Sequence, residues 1–362
     1  MSGNLNTSHY RSARYGMLAA LAAASLFGIS APVSKLLLEN IPPLMLAGLL
    51  YIGSWAGLVV IVIIRHLLAG GSAPKEARLR GKDFLYLAGS IVSGGFAAPV
   101  FLIYGLISTL GSVASLLLNI EGVLTVIIAT IVFKEPAGKR IWAAATSMLL
   151  AGLILTYAPD ISGWSFQWGA VLVALSSLMW AIDNNLTRHL SHRDPYVIAM
   201  YKGFVAGIVN FSIAYFILKE PLPDITYATG AIAFGVVGYG ASLVFFIYAL
   251  RNLGASRTST FFGAAPFIGV IVSIIVLDER VNLQIVSAAI LMLAGLWMIL
   301  KESHEHEHIH QSLSHEHSHI HDEHHDHKHE GEIVEPHCHE HQHGLLVHSH
   351  AHVPDLHHYH RH

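Results

Sequence analysis

The sequence predicts an all-α integral membrane protein in which ten transmembrane helices form two inverted five-helix repeats. The first observation behind this prediction is composition: 53% of the 362 residues are apolar, 12% are charged, and the mean hydropathy is +0.51. The second is a series of apolar stretches, each long enough to form a membrane-spanning helix. The third is a set of short motifs in the first half of the chain that return in the second half.

Composition excludes two broad classes of protein. Soluble domains carry about 25% charged residues, so this chain has about half of the charge that a water-facing surface requires, which excludes a soluble enzyme. The single cysteine, Cys338, can form no intramolecular disulfide, which excludes a secreted disulfide scaffold. Residues 1–300 hold 18 Lys/Arg and 12 Asp/Glu, whereas residues 301–362 hold 3 and 12, together with 23 of the 27 His. The chain therefore consists of an apolar body and a polar, His-rich tail.

The apolar body divides into ten candidate spans. A helix needs about 20 largely apolar residues to cross the hydrocarbon core, and such stretches alternate here with short breaks rich in Pro, Gly or charge. Arg11 and Arg14 precede an Ala-rich run that resembles a signal peptide, but nine further spans favour a retained first helix. The predicted spans are 16–38, 43–64, 84–107, 110–132, 140–158, 167–187, 195–218, 227–250, 256–277 and 282–300.

The distribution of Lys and Arg predicts the orientation of these spans. With the N-terminus in the cytoplasm, the inside segments hold 15 Lys/Arg and the outside segments hold only Lys35, Lys219 and Arg280. Positive charge favours the cytoplasmic side, so both termini and the tail are predicted to be cytoplasmic. The predicted organisation is a cytoplasmic N-terminal segment (1–15), a first five-helix repeat (16–158), a second repeat (167–300) and a tail (301–362).

Motifs of the first half recur in the second half. The segment FLIYGLISTLG (101–111) returns as FFIYALRNLG (245–254), and other matches keep similar offsets. Because five is odd, the second copy must enter the membrane from the opposite face, which predicts an inverted repeat with a cargo site near the midplane. The matched positions include Tyr104 with Tyr248, Glu135 with Glu279, Gly152 with Gly295, Phe27 with Trp180, Lys35 with Arg188 and Pro43 with Pro195.

This pattern resembles a known family. Ten spans in two five-helix repeats, with Pro43 and Pro195 opening helices two and seven and Glu135 and Glu279 closing helices four and nine, resemble the drug/metabolite transporter superfamily. Within it the chain is similar to the EamA-type transporters. The resemblance covers residues 16–300 and none of the tail. It implies the fold of a transporter but no particular cargo, because relatives move amino acids, other metabolites or cations.

The two halves depart from this family pattern where a cavity is expected. Relatives often carry a basic residue inside helices two and seven; the second copy has Lys202, whereas the first has Tyr51. Relatives also tend to have a proline midway along helices four and nine. The second copy has Pro266, whereas the first has Gly122, preceded by Glu121. No relative's cargo can therefore be transferred to this chain on the resemblance.

Glu121, Asp183 and Lys202 are the three clear cases of ionisable residues inside the spans. Such a residue costs roughly 2.5–3.5 kcal/mol to insert and normally faces a cavity or a partner. Glu121 lies about 16 Å into helix four, close to the middle of the bilayer. In a functional interpretation Glu121 carries a proton or cation, and Lys202 attracts an anionic cargo group or keeps Asp183 ionised. In a structural interpretation Asp183 and Lys202 form an ion pair between helices six and seven. Glu121 then forms a hydrogen bond with Asn119 or Ser115.

Further residues are candidates for the lining of the cavity. Asn184 and Asn185 follow Asp183 and, with Asn119, supply amide groups inside the spans. Tyr104 and Tyr248 occupy equivalent positions of the two repeats, so we expect them to line the cavity. The breaks at Ser30-Ala31-Pro32 and Gly94-Gly95 either expose backbone groups to a cargo or serve helix packing.

The tail carries a different chemistry. It has too little apolar surface to offset the entropy of ordering, so it is predicted to be disordered by itself. Neutral imidazoles two residues apart, with interleaved carboxylates, are ligands for Zn²⁺, Ni²⁺, Co²⁺ or Cu²⁺. The alternative to metal binding is that the tail senses pH, because its many histidines become charged at low pH. We expect the transporter body to require no cofactor. The predicted metal ligands are His304, His306, His308, His310, His315, His317, His319, His321, His324, His325, His327 and His329.

Two cargoes and one alternative class follow. In the first interpretation the tail gathers or senses Ni²⁺, Co²⁺ or Zn²⁺ for a secondary transporter that exports the ion by alternating access. In the second, a proton-coupled transporter exports an organic metabolite or drug and the tail is regulatory. The second is favoured by the lack of His or Cys inside any span. A membrane-anchored metal sensor or store is a third interpretation, but it gives the inverted duplication no purpose.

The sequence contains no HExxH, phosphate loop or nucleophile elbow, so no enzymatic activity is predicted. We expect a multi-pass protein of a plasma membrane of the bacterial inner-membrane kind. Its expected partners are the lipid bilayer and a small solute or metal ion, and no nucleic acid is expected. Whether the chain forms a homodimer is an open question at this point.

Overall fold

The computed structural model describes residues 3–68, 79–132, 138–160, 163–190, 193–253, 258, 261–300, 304–310, 313–319, 337–343 and 346–352. Ten helices in these residues follow the order of the predicted spans, and several consist of consecutive segments. They are α1 (Gly3–Gly28 and Ser30–Leu37), α2 (Pro43–Leu68), α3 (Asp83–Ser90, the π-helical Ile91–Ala97 and Ala98–Ser108), α4 (Gly111–Leu118 and Ile120–Val132), α5 (Lys139–Thr156), α6 (Trp168–Arg188), α7 (Pro195–Ser212 and the π-helical Ile213–Ile217), α8 (Ile225–Phe234, the π-helical Gly235–Ala241 and Ser242–Leu253), α9 (Ala265–Val276) and α10 (Leu283–Leu300).

Length and composition allow most of these helices to cross a membrane. Seven helices of the described chain are long and apolar enough: α1 to α4 and α6 to α8. Two shorter apolar helices, Ala265–Val276 and Leu283–Met298, lie where the ninth and tenth spans are predicted. The remaining helix, α5, has 18 residues and begins with the charged Lys139 and Arg140. The prediction of a ten-helix membrane protein is confirmed.

The two halves of the bundle share an unusual local feature. The π-helical segment of α3 covers 91–97 and that of α8 covers 235–241, so both bounds are displaced by 144 residues. The same displacement relates Tyr104 to Tyr248. A π-helix is rare and usually short, so its recurrence at an equivalent place supports the duplication that the sequence motifs predict.

Helix packing repeats in the same way. α1 packs on α8 and on α9, and correspondingly α6 packs on α3 and on α4. α2 contacts the π-helical segment of α8, and α7 contacts that of α3. The remaining close pairs join each helix to its own counterpart: α2 with α7, α4 with α9 and α5 with α10. The pattern is unchanged when the two repeats are exchanged, as a two-fold relation between them requires.

Close crossings hold the centre of the bundle together. At the α2–α8 crossing, a Cβ atom at Gly235 would lie 3.1 Å from the Cα atom of Gly53 and would overlap the carbonyl oxygen of Leu50. Small residues therefore let the two backbones approach, as expected for membrane helices. Gly235 thus serves the packing of α8 on α2.

The two ends of the bundle are named after Asp83 and Glu279. The Asp83 end holds the start of α3 and the end of α6, where Arg193 Nε lies 2.8 Å from Asp83 Oδ2. At this end the rings of Tyr86 and His189 also stack, with centroids 4.4 Å apart. The Glu279 end holds the α3–α4 turn and the segment after α9. The Lys/Arg distribution predicts that the Asp83 end is cytoplasmic.

Short strands connect the repeats and form part of the tail. β1 (Tyr157–Asp160) and β2 (Gly163–Phe166) form an antiparallel hairpin between α5 and α6. In the tail, β3 (His304–His310) pairs with β6 (Leu346–His352), and β4 (Leu313–His319) pairs with β5 (His337–His343), both antiparallel. These four segments are extended strands, and their alternating sequence suits a backbone with a two-residue period. The disorder expected of the tail as a whole stays a prediction. The rest of the tail lies outside the described residues.

Candidate functional site

Asp183 and Lys202 form an ion pair inside the bundle. Asp183 lies on α6 and Lys202 on α7, and these neighbouring helices run antiparallel, which brings the two residues to the same depth. Lys202 Nζ lies 2.7 Å from Asp183 Oδ1 and 2.6 Å from Oδ2. The carboxylate residue is 5% exposed. The predicted ion pair between the sixth and seventh helices is confirmed.

Two hydroxyl groups complete the surroundings of Asp183. Thr187 Oγ1, one turn further along α6, donates to Oδ1 at 2.9 Å, and Ser90 Oγ of α3 also donates to Oδ1. A buried charge is costly unless a counter-charge and hydrogen bonds compensate it. Asp183 therefore ties three helices together, α3, α6 and α7. Sequence reasoning missed Ser90 and Thr187; the i+4 spacing of Thr187 from Asp183 was the available signal.

The π-helical segment of α3 brings a carbonyl group next to this ion pair. The carbonyl oxygen of Gly94 accepts hydrogen bonds from Tyr51 Oη at 2.9 Å and from Trp180 Nε1 at 3.1 Å. A Cβ atom at Gly94 would overlap the carboxylate of Asp183. The glycine pair that the sequence marks as a helix interruption is thus a place where α3 must approach α6 without a side chain.

Glu121 lies near the break in α4. This helix is interrupted at Asn119, and Glu121 is the second residue of the part that follows, Ile120–Val132. Asn184 Nδ2 donates to Glu121 Oε1 at 2.8 Å. Glu121 is half-buried, Asn184 is exposed, and no atom of the described residues lies within 4 Å of the position that a Cβ atom would take at Gly122. Glu121 is therefore only partly enclosed by the neighbouring helices, and it lies beside an exposed amide.

The predicted partners of Glu121 were wrong. The hydroxyl of Ser115 donates instead to the carbonyl oxygen of Gly111 at 2.8 Å. The amide nitrogen of Asn119 is buried and has no hydrogen-bond partner among the described residues. Ser115 lies on the part of α4 before the break, and Asn119 lies at the break itself.

Asn185 holds α6 against α4. Its Nδ2 donates to the carbonyl oxygen of Thr125 at 3.1 Å and to that of Ala181 at 2.8 Å. Asn185 is buried, whereas the neighbouring Asn184 is exposed and reaches Glu121. Of these two adjacent amides, Asn185 therefore contacts the backbone of α4, and Asn184 contacts the side chain of Glu121.

The two acidic residues have different surroundings. Asp183 is bonded to a cation and two hydroxyls, whereas the Glu121 carboxylate has the neutral amide of Asn184 as its partner within the described chain. Glu121 nevertheless interacts electrostatically with both Asp183 and Lys202. Two carboxyl groups in unlike surroundings are suited to unlike roles.

Aromatic rings border the same region. The rings of Tyr51 and Tyr239 are 5.9 Å apart, and those of Tyr239 and Phe27 are 6.4 Å apart. Phe27 and Trp180 are equivalent positions of the two repeats. All four side chains are only partly buried. Tyr51 and Trp180 both donate to the carbonyl oxygen of Gly94, which lies against Asp183. An aromatic surface thus lies beside the ion pair.

Tyr104 and Tyr248 lie on the segments that follow the π-helices. Tyr104 is partly buried on α3 and interacts electrostatically with Glu220, toward the Glu279 end. Tyr248 on α8 is 47% exposed. Their positions are equivalent, and their expected role in lining a cavity stays a prediction.

The predicted metal ligands lie in the tail. In β3 and β6 the register places His304 opposite His352, His306 opposite His350 and His308 opposite His348. His310 ends β3, and His315, His317 and His319 lie in β4. Metal binding stays a prediction. His321, His324, His325, His327 and His329 lie outside the described residues.

Comparison with known proteins identifies the class of protein. The EamA-like transporter family matches residues 14–158 and 167–301, which are the two repeats of the bundle. The chain therefore belongs to the EamA-like transporter family, and it is a multi-pass membrane transporter. The match confirms the resemblance that the span count and the repeated motifs suggested.

Individual relatives agree with this family. An uncharacterized transporter of Methanothermobacter thermautotrophicus is 26% identical over 299 residues, covering 79% of this chain and 86% of the relative. The uncharacterized transporter YyaM of Bacillus subtilis is 26% identical, covering 61% and 75%. The uncharacterized inner membrane transporter YedA of Escherichia coli K12 is 23% identical, covering 66% and 75%.

The fold also resembles a solved structure. A protein crystal structure superposes with a TM-score of 0.57 at 15% sequence identity, covering 78% of this chain and 94% of the solved chain. At this identity the likeness concerns the fold alone.

Proposed function

We propose that the protein exports a small organic solute by alternating access and couples this export to protons through Glu121. The observation that carries the proposal is the position of Glu121, an acidic side chain of a membrane helix that is half-buried and whose hydrogen-bond partner in the described chain is the amide of Asn184. A carboxyl group in such a place can accept and release a proton without first breaking an ion pair.

Asp183 is less suited to this role. Its carboxylate accepts hydrogen bonds from Ser90, Thr187 and Lys202, so protonation would leave a buried ammonium group without its counter-charge. Asp183 and Lys202 instead stabilise the packing of α6 on α7 and supply a fixed pair of charges. Lys202 keeps 20% of its side chain exposed, which leaves it reachable by an anionic group of a cargo.

The lining favours an organic cargo over a bare metal ion. The aromatic faces of Tyr51, Tyr239 and Phe27 suit an apolar or planar body. Transition metals prefer imidazole and thiolate ligands, whereas the interior offers one free carboxylate and amide groups beside a cation, Lys202. Such surroundings bind a cationic metal weakly.

The proposal is tested by transport in inverted membrane vesicles. The full chain and its Glu121→Gln variant are compared for accumulation of radiolabelled tryptophan and of a lipophilic aromatic amine, with and without a pH gradient. We expect gradient-driven accumulation of a probe to disappear in Glu121→Gln while the protein still inserts. Glu39→Gln, at an exposed position after α1, is the matched control. Unchanged proton coupling in Glu121→Gln would overturn the role of Glu121.

A second candidate cargo is a transition-metal cation, and the tail is the observation that favours it. Its histidines alternate with other residues in the sequence, and the strand register pairs histidine positions of neighbouring strands. The test is the content of Ni, Co and Zn in cells that express the full chain, a chain ending at Leu300, or Glu121→Gln. Metal export predicts a lower content with the full chain and loss of this effect with Glu121→Gln. An organic carrier predicts no change beyond retention of metal by the tail.

A further inference from the structure

The segment after α9 caps the start of α4. Glu279 Oε1 accepts a hydrogen bond from the backbone N–H of Gly111 at 2.6 Å, and Oε2 accepts from the N–H and Oγ of Ser112 at 2.9 and 2.6 Å. Glu279 is 9% exposed, and α4 has no capping side chain of its own. The first N–H groups of a helix need acceptors and favour a negative charge, so Glu279 satisfies both requirements.

The opposite side of the same turn is held by a cation. Lys35, near the end of α1, donates to the carbonyl oxygen of Leu106 at 3.1 Å and also to that of Thr109. These carbonyls belong to the end of α3, where positive charge is favoured. Lys35 also interacts electrostatically with Glu279. The α3–α4 turn is therefore held between an anion at its amide side and a cation at its carbonyl side.

A second carboxylate acts on the neighbouring helix. Glu220, between α7 and α8, accepts a hydrogen bond from the N–H of Met45 at 2.9 Å, at the start of α2. α2 and α4 are the helices of the first repeat that begin at this end. Both are capped by a carboxylate of the second repeat. Glu279, Glu220 and Lys35 are called the Glu279 clamp.

Packing within the clamp is tight. A Cβ atom at Gly111 would lie 2.8 Å from Ser273 Oγ and 2.8 Å from Leu277 Cδ1, so α4 and α9 leave no room between them. Thr109 is 1% exposed. Ser273 Oγ and Thr109 Oγ1 are buried without hydrogen-bond partners in the described chain, which opposes closure. The bonds of Glu279 and Glu220 cross between the repeats and help to offset this cost.

We infer that the Glu279 clamp is the gate at this end of the transporter, with Glu279 as the positioning residue that keeps it closed. The inference rests on the proposed alternating access. Opening an inverted-repeat carrier at one end displaces helix ends of the two repeats relative to each other there. The bonds from Glu279 to Gly111 and Ser112 cross between the repeats and must break, whereas those of Lys35 stay within the first repeat.

The test measures accessibility and does not depend on transport. In the full chain with Cys338→Ser, a single cysteine is placed at Thr109, and its reaction with a membrane-impermeant maleimide is followed in proteoliposomes. We expect Glu279→Gln to raise the labelling rate at least ten-fold. Glu39→Gln, an exposed acid at the same end, is the control and stays within two-fold. Ser112→Ala removes the side-chain bond alone and is expected to give an intermediate rise.

A second reporter distinguishes a gate from general loosening. Leu190 is 0% exposed at the Asp83 end, and a single cysteine there reports on the opposite side. The gate predicts that Glu279→Gln leaves Leu190→Cys unreactive while Thr109→Cys becomes reactive. A rise at both positions, or at neither, overturns the inference. The labelling experiment uses no cargo and no proton gradient. Its outcome therefore does not depend on whether Glu121 couples transport to protons.

Discussion

Gly94 faces the carboxylate of Asp183 so closely that a Cβ atom between them would overlap Oδ2. The two residues lie on α3 of the first repeat and α6 of the second. Their contact lets Ser90 reach Asp183 and lets the carbonyl of Gly94 accept bonds from Tyr51 and Trp180. A missing side chain on one helix thus makes room for a charge on the next.

Gly94→Ala should therefore destabilise the protein. Overpacking of this kind costs about 1–3 kcal/mol, because the methyl group must displace Asp183 from Ser90 or separate α3 from α6. The free energy of unfolding in detergent micelles measures the effect. Gly230→Ala on α8, where no atom of the described residues lies within 4 Å of the added methyl group, is the control and should be neutral or slightly stabilising. Equal stability of the two variants would contradict the close contact.

The ion pair predicts non-additive substitutions. Lys202→Met leaves Asp183 buried without its cation and should cost about 3–5 kcal/mol, the usual cost of breaking one side of a buried pair. Adding Asp183→Asn should restore much of this loss, because no unpaired charge then remains. A double-mutant cycle on unfolding free energies measures the coupling. Independent effects of the two substitutions would show that the pair contributes little to packing.

The topology predicts that both chain ends face the cytoplasm. A reporter active only in the cytoplasm, fused at the N-terminus or after Leu300, should be active in both fusions. A third fusion in the β1–β2 hairpin should be inactive, since this connection lies at the Glu279 end. Activity at only one terminus would contradict the predicted number of crossings.

The tail predicts metal binding that depends on pH. The purified full chain should bind several Zn²⁺ or Ni²⁺ ions in equilibrium dialysis, and a chain ending at Leu300 should lose most of them. Imidazole binds metal only when neutral, so binding should weaken as the pH falls below neutrality. Equal metal binding by the two chains would contradict this prediction and would show that the metal site lies in the membrane body.

The membrane body was largely predictable because its determinants are local. A run of apolar residues must become a helix wherever water is excluded, and Lys and Arg mark where the chain leaves the membrane. Asp183 and Lys202 were paired correctly, since two helices joined by a short connection bring residues of equal depth together. The repeat of Tyr104 as Tyr248 likewise predicted an offset that the π-helices later reproduced.

The contacts of the site were not predictable in the same way. Glu121 was expected to bind Asn119 or Ser115, which are near it in sequence, whereas Asn184 of the other repeat is its partner. The role of Glu279 at the start of α4 depends in the same way on a neighbour 168 residues away. Sequence spacing shows which residues are close along one helix, but it does not show which helices are in contact.

The sequence alone thus determined the number of helices, the duplication and the identity of the charged residues, because hydropathy and charge act on each segment separately. Only the tertiary structure decided that Glu121 binds Asn184 and that Glu279 caps α4, because these contacts depend on the rotation and crossing of helices from different repeats. Those crossings follow from close approaches such as that of Gly94 to Asp183, where a single side chain sets the distance between two helices.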